Sequence, residues 1–361
     1  MARPKKKSGF DYGLLVVVLL LVIIGLIILY STSAYNGRVK FQDSFYYLKK
    51  QAFATSLGLA LLYATAHIDY HLWQRFAVPA YFLAIGLSVA VLLFGDEYNG
   101  SKRWLSFGPL SFQPSEFAKI AVILFLAYLI EKNGKRLKKM KTLLLIMVSI
   151  LPIVGLVGAS NLSTAIIILG IGVVLVFVAS PLYAQFVWLG VTGVGFLAIF
   201  LALESYRLER LAIWRNPEQY EKGYQTLQGL YAIGSGGLFG RGIGNSVQKL
   251  GFVPEAQNDM IFSIVCEEWG LVGAAALIVL FLLLIWRFFV IATRAKDLFG
   301  SLIATGAMAH MMIQVILNIA VVTNTIPNTG ITLPFVSYGG TSVLFLLFEM
   351  GLVLSVSNLL E

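Results

Sequence analysis

The sequence predicts an all-α, polytopic membrane protein with about ten transmembrane helices and one long extracellular loop before the eighth. Two observations carry that reading. The 361 residues are 58% hydrophobic and only 12% charged, with a mean hydropathy of +0.83, far from the balance of a soluble domain. Apolar runs also recur at close to the roughly 20 residues that cross a bilayer. One membrane-embedded domain, residues 1–361, is therefore expected rather than the two or three soluble domains that length alone suggests.

Taken in order, the apolar runs fall at 12–32, 52–67, 76–94, 115–131, 142–159, 163–180, 184–203, 260–287, 301–323 and 335–357. Lys5-Lys6-Lys7 before the first run imitates a signal peptide. That run is too long and lacks a small-residue cleavage site, so it reads as a retained span. With ten spans, the basic N-terminus, the Glu131–Lys141 connection and the Arg287–Lys296 connection share one side, which the distribution of Lys and Arg assigns to the cytoplasm. Both termini are then cytoplasmic, and the connections 33–51, 95–114, 204–259 and 324–334 face outside.

A formal charge of +9 could suggest nucleic acid. The cations instead cluster beside apolar spans, where they set topology and meet anionic lipids, so membrane lipids and not nucleic acid are the expected partners. The lone Cys266 cannot form an intrachain disulfide. His310, inside the ninth span, reads as a packed or helix-bridging residue, and no His or Cys has metal-ligand spacing.

Four stretches carry candidate chemistry. Glycines between Gly234 and Gly244 lack the phosphate-loop pattern and no strand precedes them. They form either a tightly turned loop or a backbone cradle for an anionic headgroup assisted by Arg241 and Lys249. Gln113-Pro114-Ser115-Glu116 suits a helix start, but Lys119 one turn further in is costly in hydrocarbon unless it pairs or lines a wet cavity. Pro334 to Ser342, with Ser337 and Tyr338, either lets helices approach closely or floors a pocket.

The fourth stretch places Glu255, Asp259, Glu267 and Glu268 at the threshold of an apolar span. Pro254 and Glu255 can begin a helix, and Glu267-Glu268 can be solvated at a kink before Gly270. On a helix Asp259 would share a face with Glu255 and Ser263. A partly desolvated carboxylate beside other acids holds its proton to higher pH, the tuning a general base needs.

At these residues the chain resembles the SEDS (shape, elongation, division and sporulation) family, which includes RodA, FtsW and SpoVE. The resemblance runs over Gly100…Arg103-Trp104, Gln113-Pro114-Ser115-Glu116…Lys119, Tyr224-Gln225…Gly242 to Lys249, Pro254-Glu255…Asp259, Glu267-Glu268…Gly270 and Pro334…Ser337-Tyr338-Gly339-Gly340. It implies a glycosyltransferase that polymerises lipid II into peptidoglycan on the outer membrane face. A class B penicillin-binding protein is the implied partner, and a polyprenyl pyrophosphate the leaving group. The family's essential aspartate falls on Asp259, where Gln257-Asn258 replaces the commoner His-Thr. The expected roles are Asp259 as base in an inverting transfer and Lys50, Arg103 and Lys119 as cations on the pyrophosphate. Trp104, Glu116, Gln225, Lys249, Glu255, Ser337 and Tyr338 complete the expected substrate site, part of it on the 204–259 loop. A divalent ion such as magnesium or manganese could share the charge, with no dedicated site evident. The alternative from another class is a lipid II flippase, which would need polar residues through the cytoplasmic half, where the helices are nearly bare.

Overall fold

The computed structural model describes residues 9–98, 101–107, 110–180, 190 and 211–360. The expected seventh span, 184–203, lies outside the described residues apart from 190, as do Lys5-Lys6-Lys7 and Gly100. The other nine expected spans are helices: α1 Tyr12–Phe41, α2 Tyr46–His67, α3 His71–Phe94, α4 Pro114–Asn133, α5 Met140–Ser160 and α6 Leu162–Ala179, then α8 Ile261–Arg294, α9 Leu298–Val322 and α10 Gly340–Ser357. Among the described residues seven of these are long and apolar enough to cross a membrane. The other two are α2 and α4.

Helix α4 is the hub. Proline at its first position suits a helix start, and from Ala118 to Ala127 every residue is buried. Such a stretch has no lipid face, so the two charges at its N-terminal end, Glu116 and Lys119, point into protein or cavity. Around it pack α3, α5, α6, α9 and α10. The α1 cap ties the chain's two ends together: the Asp11 carboxylate accepts from Leu14 N at 2.8 Å and from Arg287 Nε at 3.1 Å, and its backbone N–H donates to Ser357 Oγ at 3.2 Å.

Two connections expected as loops are built. Residues 96–112 form a three-stranded antiparallel sheet, β1 Asp96–Tyr98, β2 Ser101–Phe107 and β3 Leu110–Phe112, with Glu97 opposite Lys102 and Leu105 opposite Phe112. Its strands are too short for an alternating pattern to stand out. Residues 224–236 form helix α7, Tyr224–Gly236.

Helix α8 is broken at Gly270, which takes φ 68° and ψ −168°. The break strands carbonyls before it and N–H groups after it, and the connection from α7 to α8 satisfies both. Arg241 N and Gly242 N donate to Glu267 O and Glu268 O, each at 2.9 Å, while Leu271 N and Val272 N donate to Gly237 O and Leu238 O at 2.9 and 3.1 Å. Unsatisfied backbone is intolerable beside a bilayer, so the glycine run is required by this exchange. A Cβ on Gly240, at φ +77°, would lie 2.2 Å from Glu268 O. The stretch from Leu271 to Arg294 is still about 35 Å long at 1.5 Å per residue, enough to span a bilayer.

Gly25 permits a second close approach: a Cβ there would lie 2.2 Å from Phe335 O. Helix α1 thus presses against the segment that carries Ser337 and Tyr338.

Gly240→Val should lower the unfolding free energy in detergent by about 3 kcal/mol, from positive-φ strain plus overpacking. Thermal unfolding of the purified variant measures it.

Candidate active site

The connections at one end of the bundle converge on a cavity of about 1020 Å³. Nine of the eleven expected site residues line it: Lys50, Arg103, Trp104, Glu116, Lys119, Gln225, Glu255, Asp259 and Tyr338. Strand β2 delivers Arg103 and Trp104, α4 delivers Glu116 and Lys119, and α7 delivers Gln225. Five cations line the cavity, Lys49 and Lys222 being the others, against three carboxylates. The lining therefore favours an anion.

Asp259 sits in a turn, not on a helix: α8 begins at Ile261, and Glu255 takes a left-handed φ of 52°. The expected shared face with Ser263 is therefore absent. What holds Asp259 is a set of amides. Gln225 Nε2 donates to its Oδ1 at 3.2 Å, and Gln225 Oε1 accepts from Asn328 Nδ2 at 3.1 Å. From α9, Asn318 Nδ2 donates to the Asp259 carbonyl at 2.9 Å and to Ile331 O at 2.7 Å. Burial pushes the carboxyl up to about 7, and the Glu255 charge pushes the same way. Hydrogen bonds from Gln225 and from the Asp259 and Met260 backbone oppose that rise. A carboxyl so poised exchanges a proton near neutral pH.

The cations differ in setting. Lys119 Nζ is 1% exposed as a residue, 3.0 Å from Glu116 Oε1 and 3.1 Å from Gln314 Oε1. Arg103 Nε donates to Ser160 O at 3.1 Å. Lys50 Nζ donates to Tyr46 Oη at 2.7 Å and lies 4.5 Å from that ring's centre.

Two expected site residues are elsewhere. Lys249 does not line the cavity; it is buried against Glu268 Oε1 at 2.6 Å and Ser31 Oγ at 2.9 Å. The break at Gly270 docks the preceding connection onto α8, which sets Lys249 against Glu268. Glu267 and Glu268 are accordingly not solvated: Glu267 accepts from Val247 N at 3.1 Å and Gln248 N at 3.3 Å and orders that connection. Ser337 is buried outside the cavity, its hydroxyl accepting from Leu333 N at 2.8 Å, so it shapes the turn that presents Tyr338. His310 bridges α9 and α10, as expected, through Glu349.

Gln314 and Asn318 are the residues that sequence reasoning missed. With His310 they recur every fourth residue, one stripe of polar groups inside an apolar helix, and that spacing was the available signal.

With this geometry in hand, the relatives define the class. The sequence profile of the FtsW/RodA/SpoVE family, described as a cell cycle protein, matches residues 12–361, and the chain belongs to that family. It is 39% identical to the stage V sporulation protein E of Bacillus subtilis, over 98% of each chain. To a probable peptidoglycan glycosyltransferase FtsW of Trichlorobacter lovleyi it is 35% identical, over 99% of this chain and 95% of that one. Among solved structures, a chain of a peptidoglycan synthase complex superposes with a TM-score of 0.81 at 30% identity, covering 97% of this chain and 98% of that one. The rod shape determining protein RodA of Thermus thermophilus superposes at 0.70 with 29% identity, covering 97% of both. The fold is thus that of a polytopic membrane protein.

Lys249→Ala leaves Glu268 buried without its cation and should cost about 3–5 kcal/mol of stability. The expected phenotype is a lowered unfolding temperature with KM for substrate unchanged in the protein that remains folded. Glu255→Gln removes a charge beside Asp259 and should move the acid limb of any pH–rate profile to lower pH.

Proposed function

We propose that this chain is a peptidoglycan glycosyltransferase that polymerises lipid II, working at the outer face of the bacterial cytoplasmic membrane with both termini in the cytoplasm. The observation that carries the reading is a carboxyl poised at about 7, Asp259, in one cavity with five cations. Its named relatives include probable peptidoglycan glycosyltransferases, which supports the same reaction. Lipid II carries its sugar through an α-linked diphosphate, whereas the glycan product is β-linked. The acceptor's 4-hydroxyl must therefore attack the anomeric carbon from the face opposite the leaving diphosphate.

In this scheme Asp259 takes the hydroxyl proton as the new C–O bond forms. Lys119, Arg103 and Lys50 stabilise the charge that develops on the departing polyprenyl diphosphate. Phe53 and Leu57 of α2, with Leu344 and Phe345 of α10, give the cavity an apolar wall suited to a prenyl tail. Among the described residues no three His, Cys, Asp or Glu side chains converge to hold a metal ion. A divalent cation held by the diphosphate would have Glu255 as its carboxylate ligand, leaving Asp259 to take the proton. A class B penicillin-binding protein that crosslinks the strands is the partner that fits; the superposed synthase complex, which coordinates polymerization and crosslinking, supports that pairing.

The transport reading, a lipid II flippase, is disfavoured by α4: beyond Lys119 its buried face from Ile120 to Leu126 is wholly apolar, and a charged headgroup has nothing to follow there.

Purified protein given lipid II in detergent, where no leaflet exists to cross, should form glycan polymer, alone or with its penicillin-binding partner. Asp259→Asn should lower the rate by about a hundred- to ten-thousand-fold, the usual share of a general base. Full polymerisation by that variant would remove Asp259 from the chemistry. Because the base acts deprotonated, kcat/KM should fall as pH drops below about 7 and level off above it, as a pH–rate profile will reveal.

A further inference from the structure

The amide of Gln314 is oriented by two neighbours independently. Its Nε2 donates to Thr332 O at 3.1 Å, and a carbonyl can only accept. Its Oε1 faces Lys119 Nζ at 3.1 Å, and an ammonium can only donate. The amide's third neighbour is His310 Nε2, 2.9 Å from Oε1. Since Oε1 has no proton to offer, Nε2 must carry one. The other ring nitrogen, Nδ1, is 2.8 Å from Glu349 Oε2, and a hydrogen bond there requires a further proton, on the ring or on the carboxyl. His310 and Glu349 thus hold one proton more than a neutral imidazole and a carboxylate would, which makes the pair neutral overall. Neutrality is what their surroundings demand, since His310 is 1% and Glu349 2% exposed inside the bundle.

We infer that His310 and Glu349 are positioning residues for the transferase site: Glu349 fixes the imidazole with hydrogen on Nε2, which locks Gln314 Oε1 onto Lys119 and holds that ammonium between Gln314 and Glu116 at the cavity. The inference rests on the reading of Lys119 as a diphosphate cation. Its physical basis is tautomer control by the group on the far ring nitrogen. Without Glu349 the ring can place its hydrogen on Nδ1 instead. The bare Nε2 then repels Oε1 and favours the flipped amide, which would turn its NH₂ toward Lys119 and forfeit the bond to Thr332. One lost carboxyl on α10 would so disorder a cation on α4 through two side chains of α9.

The ring is observable directly, because the chain has only three histidines. In ¹⁵N-histidine solid-state NMR of the full-length protein in lipid, the His310 signals are those that vanish in His310→Leu. At the pH of the polymerisation assay Nε2 should be protonated in the wild type and partly unprotonated in Glu349→Leu. An unprotonated Nε2 in the wild type overturns the proposal. Lipid II polymerisation should fall about tenfold in Glu349→Leu, the worth of one strong hydrogen bond. Glu349→Gln, whose amide can donate to Nδ1 and keep hydrogen on Nε2, should stay within about twofold of wild type. Equal impairment of the two variants overturns the proposal, and if Glu349→Leu does not fold, the wild-type spectrum and the Glu349→Gln rate decide it alone. Lys119→Met separates the two levels of the argument: unimpaired polymerisation there refutes the diphosphate role of Lys119, whatever the spectrum says of the ring.

Discussion

A helix beside a bilayer can be interrupted only where another stretch of chain supplies the hydrogen bonds it gives up, and the rest of this structure hangs on how that is met at Gly270. Segment 237–242 takes over the carbonyls of Glu267 and Glu268 and the N–H groups of Leu271 and Val272. Once there, it brings residues 246–249 against the two glutamates, and Lys249 fastens the whole to Ser31 of α1. The turn that carries Asp259 begins a few residues later and leads straight into α8. The carboxylate at the cavity thus stands on a connection pinned by backbone bonds and by buried charges.

Two kinds of buried charge are consequently present and do different work. Lys249 and Glu268 neutralise each other away from the cavity and shape the chain. Lys119 and Glu116 also pair, at 3.0 Å against 2.6 Å for Lys249 and Glu268, but at the cavity wall, where the pair remains available to a ligand. The difference lies in what surrounds each pair and not in the residue types. Asp259 belongs to neither group, because its partners are amides and its nearest charge is another acid, and its affinity for protons rises accordingly.

That contrast explains what the sequence made legible. Membrane class, helix positions and the clustering of acid and base at one end of the spans followed from hydropathy and from the energetic oddity of charge in apolar runs. Asp259 and Lys119 were readable because nothing local could excuse them. Lys249 meets Glu268 and not the cavity because the helix break at Gly270 docks the preceding connection onto α8, and no periodicity announces that break. Asp259 was placed on a helix because Pro254 and Glu255 look like a helix start, whereas the left-handed Glu255 delays it to Ile261. The strands of 96–112 were too short to register, and Gln314 and Asn318 passed as ordinary polar residues although their four-residue spacing aligned them with His310.

The cap of α1 carries a consequence for how the chain is built. Asp11 enters with the first helix made, yet the groups that bind it, Arg287 and Ser357, lie 276 and 346 residues further on. Until they are made, that carboxylate has the Leu14 N–H and water as partners, and α1 is held by its packing on α2. The arrival of α8 and α10 adds Arg287 and Ser357, so the cap of α1 is among the last features of the bundle to be completed.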